Sequence, residues 1–173
     1  MRLSQNYFNA ILSLILTYSF AFGGYQFANK AELTTALNQW ESNETIAIAT
    51  YGDIADWDVS QVTNFSSLFQ GRSNFNEDIS GWDVSNVTNF FYAFNGASSF
   101  NADISNWDVS SATTMHMMFP GCNSFNADLS NWDVSNVTNM HRMFNGCNSF
   151  NSDLTNWDVS KVTDFFKFLG NAN

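Results

Sequence analysis

The octapeptide WDVSNVTN occurs twice in the chain, at residues 82–89 and 132–139, and near-copies begin at Trp57, Trp107 and Trp157. Five copies therefore follow one another at a constant interval of 25 residues. A fixed period of this length is typical of repeat proteins, in which each unit stacks on the previous one. The period predicts a solenoid, and it constrains the fold more strongly than any other feature of the chain.

The apolar pattern within one repeat predicts a short strand followed by a short helix. Apolar residues in 79–87 have the spacing L-x-x-L-x-L of a leucine-rich repeat. The triplet WDV alternates between two faces as a strand does, and apolar residues in 90–94 recur at helical spacing. We therefore expect an α/β solenoid of leucine-rich-repeat type, with short parallel strands, short helices, 25-residue coils and the Trp of each repeat buried in the core.

The segment before the repeats predicts a helical cap. Residues 24–53 do not follow the 25-residue pattern. Asn29 precedes four apolar residues at helical spacing, which are Leu33, Ala36, Leu37 and Trp40. A helix here would cover the open end of the array, which spans residues 54–173 and ends within its fifth repeat.

The N-terminus indicates export. Arg2 is followed by the apolar run 8–22 and by small residues, the pattern of a secretory signal peptide over residues 1–23. A retained N-terminal anchor is the alternative. The later sequence contains no other run long enough to span a bilayer, so the expected location is secreted or at the cell surface.

Composition excludes two classes of protein. The chain has 18 Phe and is 17% aromatic, which excludes a disordered acidic tail. Its net charge is −10, and its six Lys and Arg are scattered rather than clustered. Nucleic acid is therefore not an expected partner.

The stretch MFNGCNSFNSDLTNWDVSKVT, residues 143–163, resembles the repeat of BspA-like leucine-rich-repeat surface proteins. Phe144, Cys147 and Phe150 match the aromatic-x-x-Cys-x-x-apolar signature of that family, and the leader AELTTALNQW is similar to the segment that precedes such arrays. The resemblance implies an exported protein that recognises protein or carbohydrate at a cell surface. It implies no catalytic residues and names no ligand.

Stacking would turn each repeat position into a row of like side chains. The Asp and Ser that follow each Trp form the most regular polar row, and we expect this row to be the contact surface for a partner. Its members are Asp58, Ser60, Asp83, Ser85, Asp108, Ser110, Asp133, Ser135, Asp158 and Ser160. Helix N-capping is the favoured structural interpretation of these Ser residues and of the Thr residues three positions later.

A second acidic row lies in the segment between repeats. Calcium binding is one interpretation, because calcium takes carboxylate and carbonyl oxygens. Its ligands would be Asn76, Asp78, Asn101, Asp103, Asn126, Asp128, Asn151 and Asp153. The favoured interpretation is that these side chains cap turns, and no cofactor other than calcium is suggested.

Two cysteines and two histidines recur at the repeat interval. Cys122 and Cys147 would lie close enough for a disulfide, and a pair of buried thiols is an equal alternative. His116 and His141 would stack on the outer face, but two ligands make a poor zinc site.

The functional hypothesis is a non-enzymatic recognition or adhesion module, since no arrangement of nucleophile, base and acid is visible. An alternative is end-to-end self-association, because the Phe-rich C-terminal repeat has no capping segment after it. A second alternative is a calcium-dependent binding module.

Overall fold

The computed structural model of the protein describes residues 24–171. Helix α1 spans Lys30–Ser42, helix α2 spans Glu44–Tyr51, and a single 3-10 turn covers Ile54–Asp56. No further helix and no strand occur within residues 24–171, where the only sheet-like pairings are isolated parallel bridges. Four of these bridges join residues one repeat apart, from Asn64 to Asp164.

Helix α1 forms where the sequence predicts it. The Asn29 side chain accepts hydrogen bonds from the backbone N–H groups of Ala31 and Glu32, which would otherwise lack helical partners. The apolar stripe of Leu33, Ala36, Leu37 and Trp40 is buried, so this prediction is confirmed. Just before the helix, the Phe27 N–H donates to the Asp58 carbonyl at 2.9 Å and ties the leader to the first repeat.

Each repeat is built from a series of β-turns whose ends are apolar. In the second repeat, six N–H groups donate to the carbonyl three residues earlier, one from Asn95 to Tyr92 and five between buried apolar residues. The turns close between Ile79 and Trp82, Val84 and Val87, Phe90 and Ala93, Phe94 and Ala97, and Ala97 and Phe100. All of these residues are buried, so the chain turns at each apolar residue and points it inward.

Adjacent repeats are joined by backbone hydrogen bonds, and in the segment 90–96 and its equivalents these bonds all donate toward the next repeat. The N–H groups of Phe90, Tyr92 and Phe94 donate to carbonyls of the next repeat at 3.1, 3.0 and 2.7 Å. The same pattern links every consecutive pair of repeats in the described part of the chain. A net contribution of about 1 kcal/mol per bond makes the interface between repeats a main source of stability.

Left-handed backbone at fixed positions produces this one-sided pattern. Ser67, Tyr92, Met117, Arg142 and Lys167 occupy one repeat position, and all have φ between 50° and 58°. Four residues later, Gly71, Gly96, Gly121 and Gly146 have φ of 73–76°. Left-handed residues interrupt helix formation, because the N–H that follows is turned away from the preceding turn.

The tryptophans form an internal row that also ties repeats together. The Trp107 indole N–H donates to the Ile79 carbonyl at 3.0 Å, and equivalent bonds of 2.9–3.0 Å occur at Trp82, Trp132 and Trp157. Each of these side chains is buried, so the prediction of a buried Trp row is confirmed. The indole N–H satisfies a carbonyl that lies in the core without access to water.

The predicted α/β solenoid of leucine-rich-repeat type, with parallel strands and short helices, is wrong. The WDV triplet makes no strand because turns close on both sides of it. The apolar residues of 90–94 make no helix because alternate N–H groups bond to the next repeat. A three-residue apolar spacing is shared by helices, leucine-rich repeats and consecutive β-turns, and here the turns use it.

The two cysteines lie in the core as free thiols. The Cys122 and Cys147 Sγ atoms donate to the carbonyls of Phe94 and Phe119, each at 3.0 Å. The predicted disulfide is not formed in this structure. Burial raises the pKa of the Cys122 thiol well above its usual range and that of Cys147 to about 12. Raised pKa values make thiols poor nucleophiles.

Within residues 24–171, no helix has the length and apolar character needed to cross a membrane. The predicted signal peptide, residues 1–23, lies outside the described residues.

We expect Gly121→Ala to lower the free energy of unfolding by about 1–2 kcal/mol, because alanine is strained at the left-handed φ of 73°. Gly121→Asn is the matched control: Asn171 occupies the equivalent position with φ 58°, and so its cost should be clearly smaller. Urea denaturation measures both. An equal loss in the two variants would assign the effect to side-chain volume instead.

We expect Cys122 and Cys147 to react with a thiol-specific reagent at pH 8 far more slowly in the native protein than in urea, because both thiols are buried. Cys122→Ala should fold normally, since Ala97 occupies the equivalent position. Two reactive thiols per unfolded chain are expected without added reductant. A count of zero would show that the disulfide forms in solution.

Candidate functional site

The Asp and Ser row predicted as a contact surface has a clear role within the chain. Each Asp Oδ1 in the row accepts the backbone N–H of the Ser two residues later, at 3.0 Å in all five repeats. The Ser110 hydroxyl and N–H lower the pKa of Asp108, and Ser135 does the same for Asp133. The expected N-capping is wrong, since no helix follows these Ser residues. That the row contacts a partner stays a prediction.

The Asn and Asp residues predicted as calcium ligands also cap backbone groups. The Asn76, Asn101 and Asn126 side chains each accept the N–H of the Asn one repeat later, at 2.7–2.8 Å. The paired Asp residues, Asp78, Asp103, Asp128 and Asp153, accept the N–H two residues later and have lowered pKa values. These contacts match turn capping. Calcium binding stays a prediction.

Over residues 24–171, no group of three or more His, Cys, Asp or Glu side chains is arranged to hold a metal ion. His116 and His141 stack with their ring centroids 4.8 Å apart and their planes within 6°. Parallel rings at this separation do not converge on one metal, whose bonds to histidine nitrogen are about 2.0–2.1 Å long.

Two adjacent positions of the repeat are variable: the second holds a different residue in every copy, and the first holds a ring in four of the five copies. Trp, Asp, Val and Ser of the WDVS motif are the same in all five repeats. The first variable position holds Ser66, Phe91, His116, His141 and Phe166. The second holds Ser67, Tyr92, Met117, Arg142 and Lys167, which are the left-handed residues. Chemical variety on a constant scaffold is what a recognition surface requires.

Four rings at the first variable position form a continuous column, here called the ring column: Phe91, His116, His141 and Phe166. Successive ring centroids are 5.0, 4.8 and 5.1 Å apart. The two histidines are partly buried between their neighbours, whereas Phe91 and Phe166 are 40% and 53% exposed. The column therefore lies at the surface and crosses four repeats.

Backbone hydrogen bonds hold the ring column in place. The carbonyls of His116, His141 and Phe166 accept the N–H of the left-handed residue in the preceding repeat, at 2.9–3.0 Å. Since each ring is attached to a residue fixed in this way, the spacing of the rings follows from the spacing of the repeats. The surface is preorganised and needs little ordering on binding.

Charged groups surround the C-terminal half of the ring column. The Arg142 guanidinium carbon and Lys167 Nζ lie 5.6 and 5.5 Å from the Phe166 ring centroid, within the range of cation–π contacts. The His141 Nδ1 lies 3.1 Å from an Asp164 carboxylate oxygen. The pKa of Asp164 is lowered by the Phe166 N–H and by His141, so this carboxylate stays ionised at neutral pH. We call the ring column together with Tyr92, Arg142 and Lys167 the ring face.

A separate open cleft of about 680 Å³ lies between the two helices and the first repeat. Arg72 lines it, at the position that Ala97, Cys122 and Cys147 hold in later repeats. Its guanidinium pairs with Glu41 and donates to the Asn38 side chain and the Leu68 carbonyl. These contacts join α1 to the first repeat. All three use the Arg72 guanidinium, so the role of Arg72 here is structural.

The ring face is the surface that sequence reasoning missed. The sequence signal for it is a position with a different residue in every repeat, next to a position that holds a ring in four of the five repeats. The predicted outer face contained His116 and His141, and Phe91 and Phe166 occupy the same repeat position, so the whole ring column could have been predicted. The alignment of His116 with His141 was predicted and is confirmed.

Comparison with known proteins identifies a family but no described relative. No curated protein and no solved structure matches the chain. The model of a family described as "Mycoplasma protein of unknown function, DUF285" matches residues 41–134 and again residues 105–173. The two matches overlap and together cover the repeats from end to end. The chain therefore belongs to the DUF285 family, a repeat family that also occurs in BspA-like surface proteins.

Proposed function

We propose that this chain is a BspA-like, non-enzymatic repeat protein, secreted or held at a cell surface, that recognises a protein or carbohydrate partner through its ring face. The observation that carries the proposal is a surface position that holds a different residue in each of the five repeats and lies next to a column of four stacked rings. Constant positions build the core and the turns, so they cannot distinguish one partner from another.

The composition of the ring face supports recognition. Aromatic residues and Arg are enriched in protein interfaces and at their energetic centres. Phe91, Tyr92 and Arg142 are such residues, and they lie on a backbone whose hydrogen bonds are already formed. A preformed surface loses little conformational entropy on binding.

The surroundings of the cysteine and histidine side chains support a non-enzymatic role. The two thiols are buried with raised pKa values, and the imidazoles of His116 and His141 stack on each other. Neither kind of group is arranged as a nucleophile next to a base.

Beads coated with the chain are expected to adhere to cultured cells and to coated protein or glycan surfaces. The variant F91S/H116S/H141S/F166S should reduce adherence at least about tenfold, since Ser66 shows that the first repeat accepts serine at this position. The control N106G/N131G copies Gly81 of the second repeat and should adhere normally. Equal adherence of both variants would contradict the role of the ring face.

A second candidate function is end-to-end association of two copies. In the last described repeat, Phe165 and Leu169 are 40% and 51% exposed, whereas their equivalents Met140 and Phe144 are fully buried. An exposed apolar patch of this kind favours association. At the other end of the described repeats, the Asn64, Ser66 and Gln70 carbonyls accept no hydrogen bond within residues 24–171.

The two ends are complementary in polarity. The N–H groups of Phe165, Lys167 and Leu169 occupy the positions that donate to a next repeat, and within residues 24–171 they have no acceptor. Donors at one end and acceptors at the other favour head-to-tail contact over contact between two like ends. A contact of this kind does not close on itself in a dimer and would extend into a ring or filament.

Light scattering over a concentration series is expected to show oligomers that grow with concentration. The variant F165D/L169D should remain monomeric, because a charge replaces each apolar contact. Its melting curve serves as the folding control. A single monomeric species for the unaltered chain at all concentrations would rule out self-association.

A further inference from the structure

The ring face differs in electrostatic character from the rest of the molecule. The chain has a net charge of −10, and most of its acids cap turns. Among the described cations, Arg72 pairs with Glu41, Lys30 donates to Ser66 and Lys161 donates to Asn136. Arg142 and Lys167 pair with no carboxylate in residues 24–171, and both lie against Phe166. Two unpaired cations on an acidic molecule mark a place where negative charge is accepted.

The stacking of the rings adds to this preference. His116 lies between Phe91 and His141, and His141 lies between His116 and Phe166. Because neighbours cover the faces of these two rings, their edges are what remains open to solvent. Aromatic edges carry the positive part of the ring quadrupole, and imidazole edges also carry N–H donors. The exposed edges therefore favour negatively charged or hydroxyl oxygens over flat apolar groups.

One buried hydrogen-bond donor of the ring face has no acceptor within residues 24–171. Arg142 Nε is buried and has no hydrogen-bond partner in the described part of the chain. Buried donors without a partner are rare in folded proteins and suggest a missing water, ion or ligand. A small movement of this side chain toward a bound anion would give the guanidinium its acceptor.

Resting on the proposed recognition function, we propose that the ring face binds a linear acidic polysaccharide, with successive carboxylates along the ring column and against Arg142 and Lys167. The column offers one ring per repeat at 4.8–5.1 Å, a straight track for a polymer with evenly spaced negative groups. The Asn89 side-chain oxygen is held by the Phe91 N–H at 2.9 Å, which leaves its amide N–H₂ to bond sugar hydroxyls beside the track.

Charge density distinguishes this ligand from nucleic acid. A duplex carries one negative charge per about 1.7 Å of axis, and its affinity comes from many cations acting together. The ring face has two fixed cations on a molecule of net charge −10, which would repel so dense a polyanion. A polyuronate carries one carboxylate per sugar, and its hydroxyl groups match the polar groups beside the column.

Binding depends on pH through the charges that face the ring column. Arg142 and Lys167 supply two positive charges, and Asp164 from the neighbouring repeat supplies one negative charge. The pKa of His116 is lowered by burial and by His141 and Arg142, against the opposing effects of Asn139 and Asp164. His116 is therefore neutral at pH 7 and gains charge in acid, where polyuronate carboxylates are still ionised. Because the pKa of His116 is lowered, affinity should rise as the pH falls from 6.5 to 4.5.

The test is calorimetric titration of the chain with polygalacturonate of defined length at low ionic strength. R142S/K167S copies Ser67 of the first repeat and should weaken binding at least tenfold. H116S/H141S copies Ser66 and should remove the gain in affinity between pH 6.5 and 4.5. The control N106G/N131G should bind as the unaltered chain does, and melting curves verify that every variant folds.

Three results would overturn the proposal. They are no polygalacturonate binding at pH 4.5, equal binding by R142S/K167S, and binding of polyglutamate or single-stranded DNA as tight as that of polygalacturonate. Adherence of coated beads that persists without polygalacturonate binding would reject the acidic polysaccharide alone and leave the recognition function standing. Unchanged adherence of F91S/H116S/H141S/F166S, together with polygalacturonate binding that R142S/K167S weakens, would reject the ring face as the adherence surface and leave the polysaccharide site standing.

Discussion

One-sided backbone hydrogen bonding between repeats is the constraint on which the rest of this structure depends. Alternate N–H groups of residues 90–96 point toward the next repeat, and the carbonyls between them point toward the previous one. This arrangement needs left-handed backbone at Tyr92 and Gly96. Once it is in place, equivalent residues of successive repeats are held in register. The buried Trp row and the exposed ring column are two results of the same register, one inside and one outside.

The sequence predicts those parts of the fold that depend on period and burial. The stacking unit, the buried Trp residues and helix α1 with its Asn29 cap all follow from spacing and from one capping residue. Strands and helices within the repeat were predicted wrongly because their spacing argument is ambiguous. Ile79 and Trp82 are three residues apart whether they lie on a helix or at the two ends of a β-turn, and only the hydrogen bonds distinguish the two.

Left-handed backbone is the second reason why the helix predicted within each repeat does not form. Glycine at 71, 96, 121 and 146 is visible in the sequence as a turn signal. Tyr92, Met117 and Arg142 give no such signal, since bulky residues rarely adopt positive φ. Their conformation is imposed by bonds to the next repeat, which local propensity does not contain. The conformation of Tyr92, Arg142 and Lys167 on the ring face could not be predicted for the same reason, whereas the ring column follows from the repeat position that Phe91 and Phe166 share with the histidines.

The acidity of the molecule also has a structural origin, and this changes what charge implies about partners. Ten Asp residues lie in the two rows of repeated carboxylates or at the equivalent positions before them, and most accept a turn N–H. Their negative charge is a consequence of closing turns, so a cationic partner does not follow from it. Cations at the position of Arg142 and Lys167 have no such structural requirement, because the other three repeats have Ser67, Tyr92 and Met117 there. The positions of Arg142 and Lys167 beside an aromatic column are therefore more informative about binding than the much larger number of acids. A duplex nucleic acid, with one negative charge per about 1.7 Å of axis, is repelled by a net charge of −10 more strongly than a chain that carries one carboxylate per sugar.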